Sequence, residues 1–267
     1  MAITSYLYQI LISLKKKELI SSGKTNSILE IGEQNWYGDV SFQDLGKTID
    51  HYSNSKSKDT LRRKLNEITT LTELGKEPKS FAFDIAKLFY RAIFDYKEYL
   101  ALDLQGTKHS INFDLNNEYK DVKKYDVVTN IGTSEHIFNQ LAVFKTIHNS
   151  VTAGGLIIHQ LPGQGYYDHG FYNYQPTFFF DLAQANNYLM IGFWMYDNNK
   201  KELISIHNRE NYAKLFDREN HPTYYDNIVI YKSSGKKEEE FKLPTQYIYS
   251  KKNPSTSEQK KWDANKK

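Results

Sequence analysis

Short apolar runs recur along the chain, separated by polar stretches with helical periodicity. SILEI (27–31) is continuously apolar except for one acid and stops at Gly32, the pattern of a buried strand. YLALDL (99–104), INFDL (111–115), YDVVTN (125–130), LIIHQLP (156–162), YLMIGFWMY (188–196) and NIVIYK (227–232) repeat that pattern. Between them, residues 4–18, 58–74, 79–94, 135–150 and 176–186 read as helices, the fourth of these ended by Gly154-Gly155. This alternation predicts an α/β fold: a Rossmann-like, mostly parallel, seven-stranded sheet with helices on both faces. Residues 52–59 read as a loop ahead of a helix, 232–240 as an exposed turn, and 241–250 as an extended strand or wrapping arm.

Composition narrows the function classes. The chain has 267 residues, 39% of them hydrophobic and 25% charged, enough for a packed core and too apolar for general disorder. It has no cysteine, which excludes disulfides, thiolate zinc sites, iron–sulfur clusters and a cysteine nucleophile. A net charge of +3, with basic residues crowded at the C-terminal end, argues against nucleic acid as a partner. No apolar run is long enough to cross a membrane. In MAITSYLYQILISLKKKELI the lysines at 15–17 follow the apolar stretch, whereas a signal peptide places its charges first. The reading is a cytoplasmic protein with an N-terminal amphipathic helix (1–24) packed on its own domain, an α/β domain (25–250) and a frayed polar tail (251–267).

Parallel sheets bind ligands beyond the carboxyl ends of their strands, so the residues that follow each run carry the chemistry. Gly32 lets the backbone approach a ligand, and Glu30 is placed to orient the loop or accept a hydrogen bond. Asp103, beside Leu104, suits the two hydroxyls of a ribose. Asp114 and Leu115 pair a polar group with an apolar one, as the edge and face of an adenine would need. Asn130 and the segment Gly132-Thr133-Ser134-Glu135-His136 follow the fourth run. A dinucleotide site would need GxGxxG, but the residues after Gly32 read EQNWYG.

SILEIG, YLALDL, INFDLN, YDVVTNIGTSEHIFNQ and GGLIIHQLP, in that order, resemble a class I S-adenosylmethionine-dependent methyltransferase over roughly residues 25–232. The resemblance implies S-adenosyl-L-methionine as cofactor. It assigns the methionine end to Glu30 and Gly32, the ribose to Asp103 with Leu104, and the adenine to Asp114 and Leu115. Asn130 and Thr133 would lie by the transferring methyl. The family's glycine-rich ExGxGxG loop is reduced here to Gly32, and the distance from Gly32 to Asp103 requires a helical insertion between strands 1 and 2. Its expected place is 39–77, with 78–94 as the crossover helix. Such an insertion is compatible with a lid, a substrate wall or a homodimer contact.

The aromatic segment 163–188 should stand over the sheet beside the sulfonium, and a cation is attracted to ring faces. Tyr166, Asn173 and Gln175 are the expected substrate contacts. HGFYNYQPTFF (169–179) resembles a block of bacterial methyltransferase-like proteins associated with surface sugars, so the expected reaction is O-methylation of a small acceptor such as a sugar or glycan precursor. His169 is the first candidate for the base and His136 the second, while His159 lies in an apolar strand and reads as a core residue. His159, Asp168 and His169 lack HExxH-type spacing, and no metal is expected. The competing reading is a catalytically inactive, methyltransferase-like protein that binds a partner.

Overall fold

The computed structural model describes residues 2–20, 27–121, 123–217, 219–234 and 240–250. In chain order its elements are β1 (Ala2–Ile3), α1 (Ser5–Lys16), β2 (Ser27–Ile31), β3 (Asn35–Trp36), α2 (Phe42–Tyr52), α3 (Ser55–Glu73), α4 (Ala82–Phe94), β4 (Glu98–Asp103), β5 (Ser110–Asn112) and β6 (Tyr125–Ile131). There follow α5 (Gln140–Ser150), β7 (Val151–Pro162), α6 (Pro176–Ala185), β8 (Leu189–Asp197), β9 (Glu202–Ile206), α7 (Arg209–Leu215), β10 (Tyr225–Lys232) and α8 (Tyr247–Ser250).

The main sheet has the order β5-β4-β2-β6-β7-β10-β8-β9. The first five strands are mutually parallel. β10 runs against both β7 and β8, and β9 runs against β8. Side chains alternate across the sheet as the two-residue period requires. Ile28, Val127, Ile158 and Ile228 join one buried cluster with α1, α2, α3 and α4. Leu29, Val128, Ile157 and Val229 join the other with α5 and α6. Helices therefore cover both faces.

Several expectations are corrected. The sheet has eight strands, not seven: β9 is an edge strand entered through a turn around Lys201, whose φ is +58°. That turn lacks the glycine that marks a tight hairpin, so the pattern hid it. Helices α2 and α3 both lie within the expected insertion, and α3, which starts at Ser55, takes up most of the expected 52–59 loop. Gly46 of α2, poor for a helix, lies against the Arg62 guanidinium, where a Cβ would be 2.1 Å from Nη1. α3 follows almost at once, capped by Asn54, whose Oδ1 accepts from Ser57 N at 2.8 Å. The expected helix at 135 starts only at Gln140, because Asn139 caps it and Ser134–His136 form a separate 3-10 turn. Gly154 and Gly155 lie within β7 and do not end a helix. The third strand is Ser110–Asn112, leaving Asp114 and Leu115 in the following turn. Residues 241–246 form no strand: they run as an arm held by Asn186, whose Nδ2 donates to Lys242 O at 3.0 Å and whose Oδ1 accepts from Lys242 N at 2.8 Å. The frayed tail expected at 251–267, and most of the turn expected at 232–240, fall outside the described residues.

One small feature positions the site. β1 pairs in parallel with β3, Ala2 with Asn35 and Ile3 with Trp36. This tie lays the N-terminal residues over the carboxyl edge of the main sheet.

Candidate functional site

The loop after β2 is built from inside. Gly32 turns it at φ +72°, and its N–H donates to Leu102 O at 2.8 Å, anchoring it to β4. Glu30 is buried beneath the loop. It accepts hydrogen bonds from the Tyr99 hydroxyl and from Gln34 N, the latter at 2.9 Å. Burial pushes its carboxyl up to about 8. The buried Gln34 amide donates to Ile31 O and Gly32 O, and Thr129 Oγ1 donates to its Oε1 at 2.5 Å. Glu30 therefore holds the loop in place from beneath, through Gln34 N and the Tyr99 hydroxyl.

A titration follows. The folded state holds the Glu30 proton more tightly than the unfolded chain, whose glutamate titrates near 4.5. The stability this contributes is complete below about pH 4.5 and is lost as pH rises toward 8. The expected result is a fall of a few kcal/mol in unfolding free energy between pH 5 and pH 8, with a clearly smaller fall in Glu30→Gln. Urea unfolding at the two pH values measures it. Equal falls in both proteins would show that Glu30 does not carry the change.

Asp103 ends β4 and is half-buried. Its Oδ2 accepts from Glu33 N and its Oδ1 from Gln105 N, both at 2.8 Å. A carboxylate offers about four lone-pair directions, so two remain. Leu104 beside it is exposed. Asp114 Oδ1 accepts from the backbone and side-chain amides of Asn116, each at 2.9 Å, while Leu115 is buried. Asn130, near the end of β6, and Thr133, in the turn after it, are both buried. Asn130 Nδ2 donates to Ser134 Oγ at 2.9 Å, and its Oδ1 accepts from Ser134 N at 3.2 Å. Asn130 thus shapes the turn and does not reach outward.

Next to this group a cavity of about 600 Å³ opens over the carboxyl ends of β6, β7 and β8 and the start of β10. Asp226 forms one wall. Its Oδ2 accepts from Tyr166 at 2.6 Å, Asn198 at 2.9 Å and Tyr6 at 3.0 Å, and burial raises its carboxyl above the usual range. Gln160 joins through Tyr6 and Thr4. Tyr6 stacks on Tyr196 with ring centroids 4.0 Å apart.

The opposite wall is Glu135. The segment after β7 folds back on it: Phe171 N and Tyr172 N donate to Glu135 O at 2.7 and 3.2 Å. Gly170 permits the approach, since a Cβ there would sit 2.9 Å from that carbonyl oxygen. This brings His169 to Glu135, with Nε2 3.7 Å from Oε1, and His136 Nε2 stands 3.8 Å from the same oxygen. The two imidazoles have centroids 5.0 Å apart. Glu135 is 1% exposed, and neither carboxylate oxygen has a hydrogen-bond partner among the described residues. Burial pushes its carboxyl up to about 7.

Of the expected substrate contacts, only Tyr166 lines the cavity; Asn173 and Gln175 are exposed and stand outside it. His159 is buried among Phe144, Phe179 and Tyr231, and burial lowers its imidazole to about 3. It is a neutral core residue. Glu135, Asp226, Tyr6 and Asn198 were not expected as site residues. Glu135 lay in the segment singled out after the fourth run, but it read there as a helix start.

A sheet of five parallel strands continued by antiparallel ones, with polar groups on its carboxyl edge, accords with the comparison to known families. The family model described as a methyltransferase domain matches residues 71–221, more than half of the chain. The chain belongs to the methyltransferase-domain family. Within it, the match runs from the end of α3 past α7, taking in Asp103, Glu135 and His169 and leaving out Gly32 and Asp226. No curated protein matches the chain. Solved methyltransferases are similar at long range. The O-methyltransferase of a trans-AT polyketide synthase multienzyme from Brevibacillus brevis, in complex with S-adenosyl-L-homocysteine, is 13% identical, with 85% of this chain and 72% of that chain covered at a TM-score of 0.41. The N-methyltransferase NodS from Bradyrhizobium japonicum WM9 is 8% identical, with 85% and 94% covered at 0.44. Similarities this distant carry nothing about this methyltransferase's acceptor.

Proposed function

We propose that the chain transfers the methyl group of S-adenosyl-L-methionine to an oxygen of a small hydroxyl-rich acceptor, such as a sugar or glycan precursor. The observation that carries this reading is the polar cavity on the carboxyl edge of the sheet, walled by the buried Glu135 and Asp226. Phenols, amides and a carboxylate suit an acceptor with many hydroxyls better than an apolar one.

The donor set at the ends of β4 and β5 fits the cofactor. Asp103 keeps two lone-pair directions for the ribose hydroxyls, and exposed Leu104 and the Asp114–Leu115 turn lie beyond it for the base. When bound, the cofactor supplies an electrophilic methyl on a sulfonium. An acceptor oxygen held opposite that sulfur would take the methyl, with the C–S bonding pair leaving on the sulfur. The chain's part is alignment and activation. Tyr166, Asn198 and Asp226 orient hydroxyls, and holding the oxygen in line supplies much of the rate. The cluster of Glu135, His136 and His169 is where the acceptor hydroxyl is made ready to lose its proton.

The test offers S-adenosyl-L-methionine with separate sets of sugars, sugar phosphates, phenols and amines, and follows S-adenosyl-L-homocysteine release and product mass. The expected result is a sugar heavier by one CH2 unit. Methylation confined to amines, or none in a protein that binds the cofactor, would contradict the reading; the latter outcome favours the inactive, partner-binding alternative.

A further inference from the structure

We propose that Glu135, His136 and His169 form a binding site for one divalent transition-metal ion, open to the cavity on the side where the acceptor sits. The ligand atoms of the three residues all lie within 4.8 Å of one another, drawn from a 3-10 turn after β6 and from the folded-back segment after β7. Two ligands bound at roughly 2.1 Å with a tetrahedral angle are roughly 3.4 Å apart. The Glu135 Oε1 to imidazole Nε2 distances of 3.7 and 3.8 Å need little adjustment to reach that.

Glu135 supplies the independent observation. Its carboxylate is buried and has no hydrogen-bond partner among the described residues, and buried carboxylates in proteins are paired or bound to a metal. Its position is also enforced. The loop bonds of Phe171 and Tyr172 to Glu135 O hold backbone, not side chain, so they fix the residue and leave the carboxylate facing the two imidazoles. The cavity's other charged side chains are Asp226, Asp39 and Lys201, two acids to one base, and Asp226 stands close enough to act on both Glu135 and His169, which favours a cation at the cluster. Two imidazoles with one carboxylate suit zinc, iron(II), cobalt(II) or manganese(II) better than magnesium or calcium, which prefer all-oxygen sets.

Three protein ligands leave coordination positions open. Resting on the methyl-transfer reading above, those positions take oxygens of the acceptor. The favoured class is then a compound with two neighbouring oxygen donors, a vicinal diol or a hydroxy acid, in which coordination to the ion acidifies the hydroxyl to be methylated and its proton passes to solvent at the open side of the cavity. Spacing alone does not disclose this ligand set, because it comes as an adjacent Glu-His pair and a distant third residue.

The full chain, stripped with a chelator, is titrated with cobalt(II) and followed by its visible ligand-field absorption, with zinc(II) as competitor. The expected result is one saturating equivalent displaced by zinc, with affinity reduced at least about 100-fold in each of His136→Ala, His169→Ala and Glu135→Gln. Circular dichroism and S-adenosyl-L-homocysteine calorimetry on the same variants confirm that they fold. Asp103→Ala should keep cobalt binding and lose the nucleoside. Absence of a stoichiometric cobalt signal, or a signal unchanged by the three substitutions, overturns the metal site and leaves the methyl-transfer reading standing. Cobalt bound at this cluster by a chain that takes up no S-adenosyl-L-homocysteine would sink the methyl-transfer reading alone.

Discussion

Replacing Asp103 by alanine is expected to weaken S-adenosyl-L-homocysteine binding by about two to four powers of ten. A hydrogen bond to a charged group contributes about 1.5–3 kcal/mol, and a ribose offers two hydroxyls to this one carboxylate. The effect comes from contact and from support together. Asp103 also accepts from Glu33 N and Gln105 N, so its loss loosens the loops that follow β2 and β4. Asp103→Asn separates these contributions. It keeps an acceptor oxygen and the volume but gives up the charge and one acceptor, so it should fall between wild type and alanine. Calorimetry on all three proteins measures the series. Undiminished binding in Asp103→Ala would mean that the nucleoside does not lie at the end of β4.

The second large effect is expected at Glu135. Changing it to glutamine should lower kcat by about two to four powers of ten while leaving S-adenosyl-L-homocysteine affinity unchanged, as befits a group that acts on the acceptor and not on the cofactor. The substitution preserves shape and removes charge, and the backbone bonds from Phe171 and Tyr172 remain. Single-turnover methylation with the best acceptor measures it. A variant with full kcat would remove Glu135 from the chemistry. A variant that loses cofactor affinity as well would move its role to the cofactor side of the cleft.

The sheet was legible because its central strands are buried on both faces and read as continuous apolar runs: SILEI, YDVVTN and LIIHQLP need no tertiary information. Edge elements were harder. β9 pairs on one side only and alternates weakly, and α2 carries a glycine in its middle that its packing on Arg62 explains. At the site, residues at parallel strand ends can be listed in order, and the structure puts Asp103 at the end of β4 as that order expects. Their orientation could not be read. Glu30 and Asn130 point inward because Gln34 and Ser134 meet them there. Asp226 escaped notice because it begins a strand. Only the reversed direction of β10 brings that beginning, paired with Pro162, to the edge where the other strands end. His136 and His169 were each singled out, yet what joins them is a loop folded onto the carbonyl of Glu135, a contact no spacing encodes.

The most direct test is a crystal structure of the full chain with S-adenosyl-L-homocysteine. The account predicts the ribose on the Asp103 carboxylate, the methionine end over Gly32, and the sulfur turned toward the cavity walled by Glu135 and Asp226. A nucleoside bound elsewhere on the molecule, or density absent at saturating ligand, would contradict it.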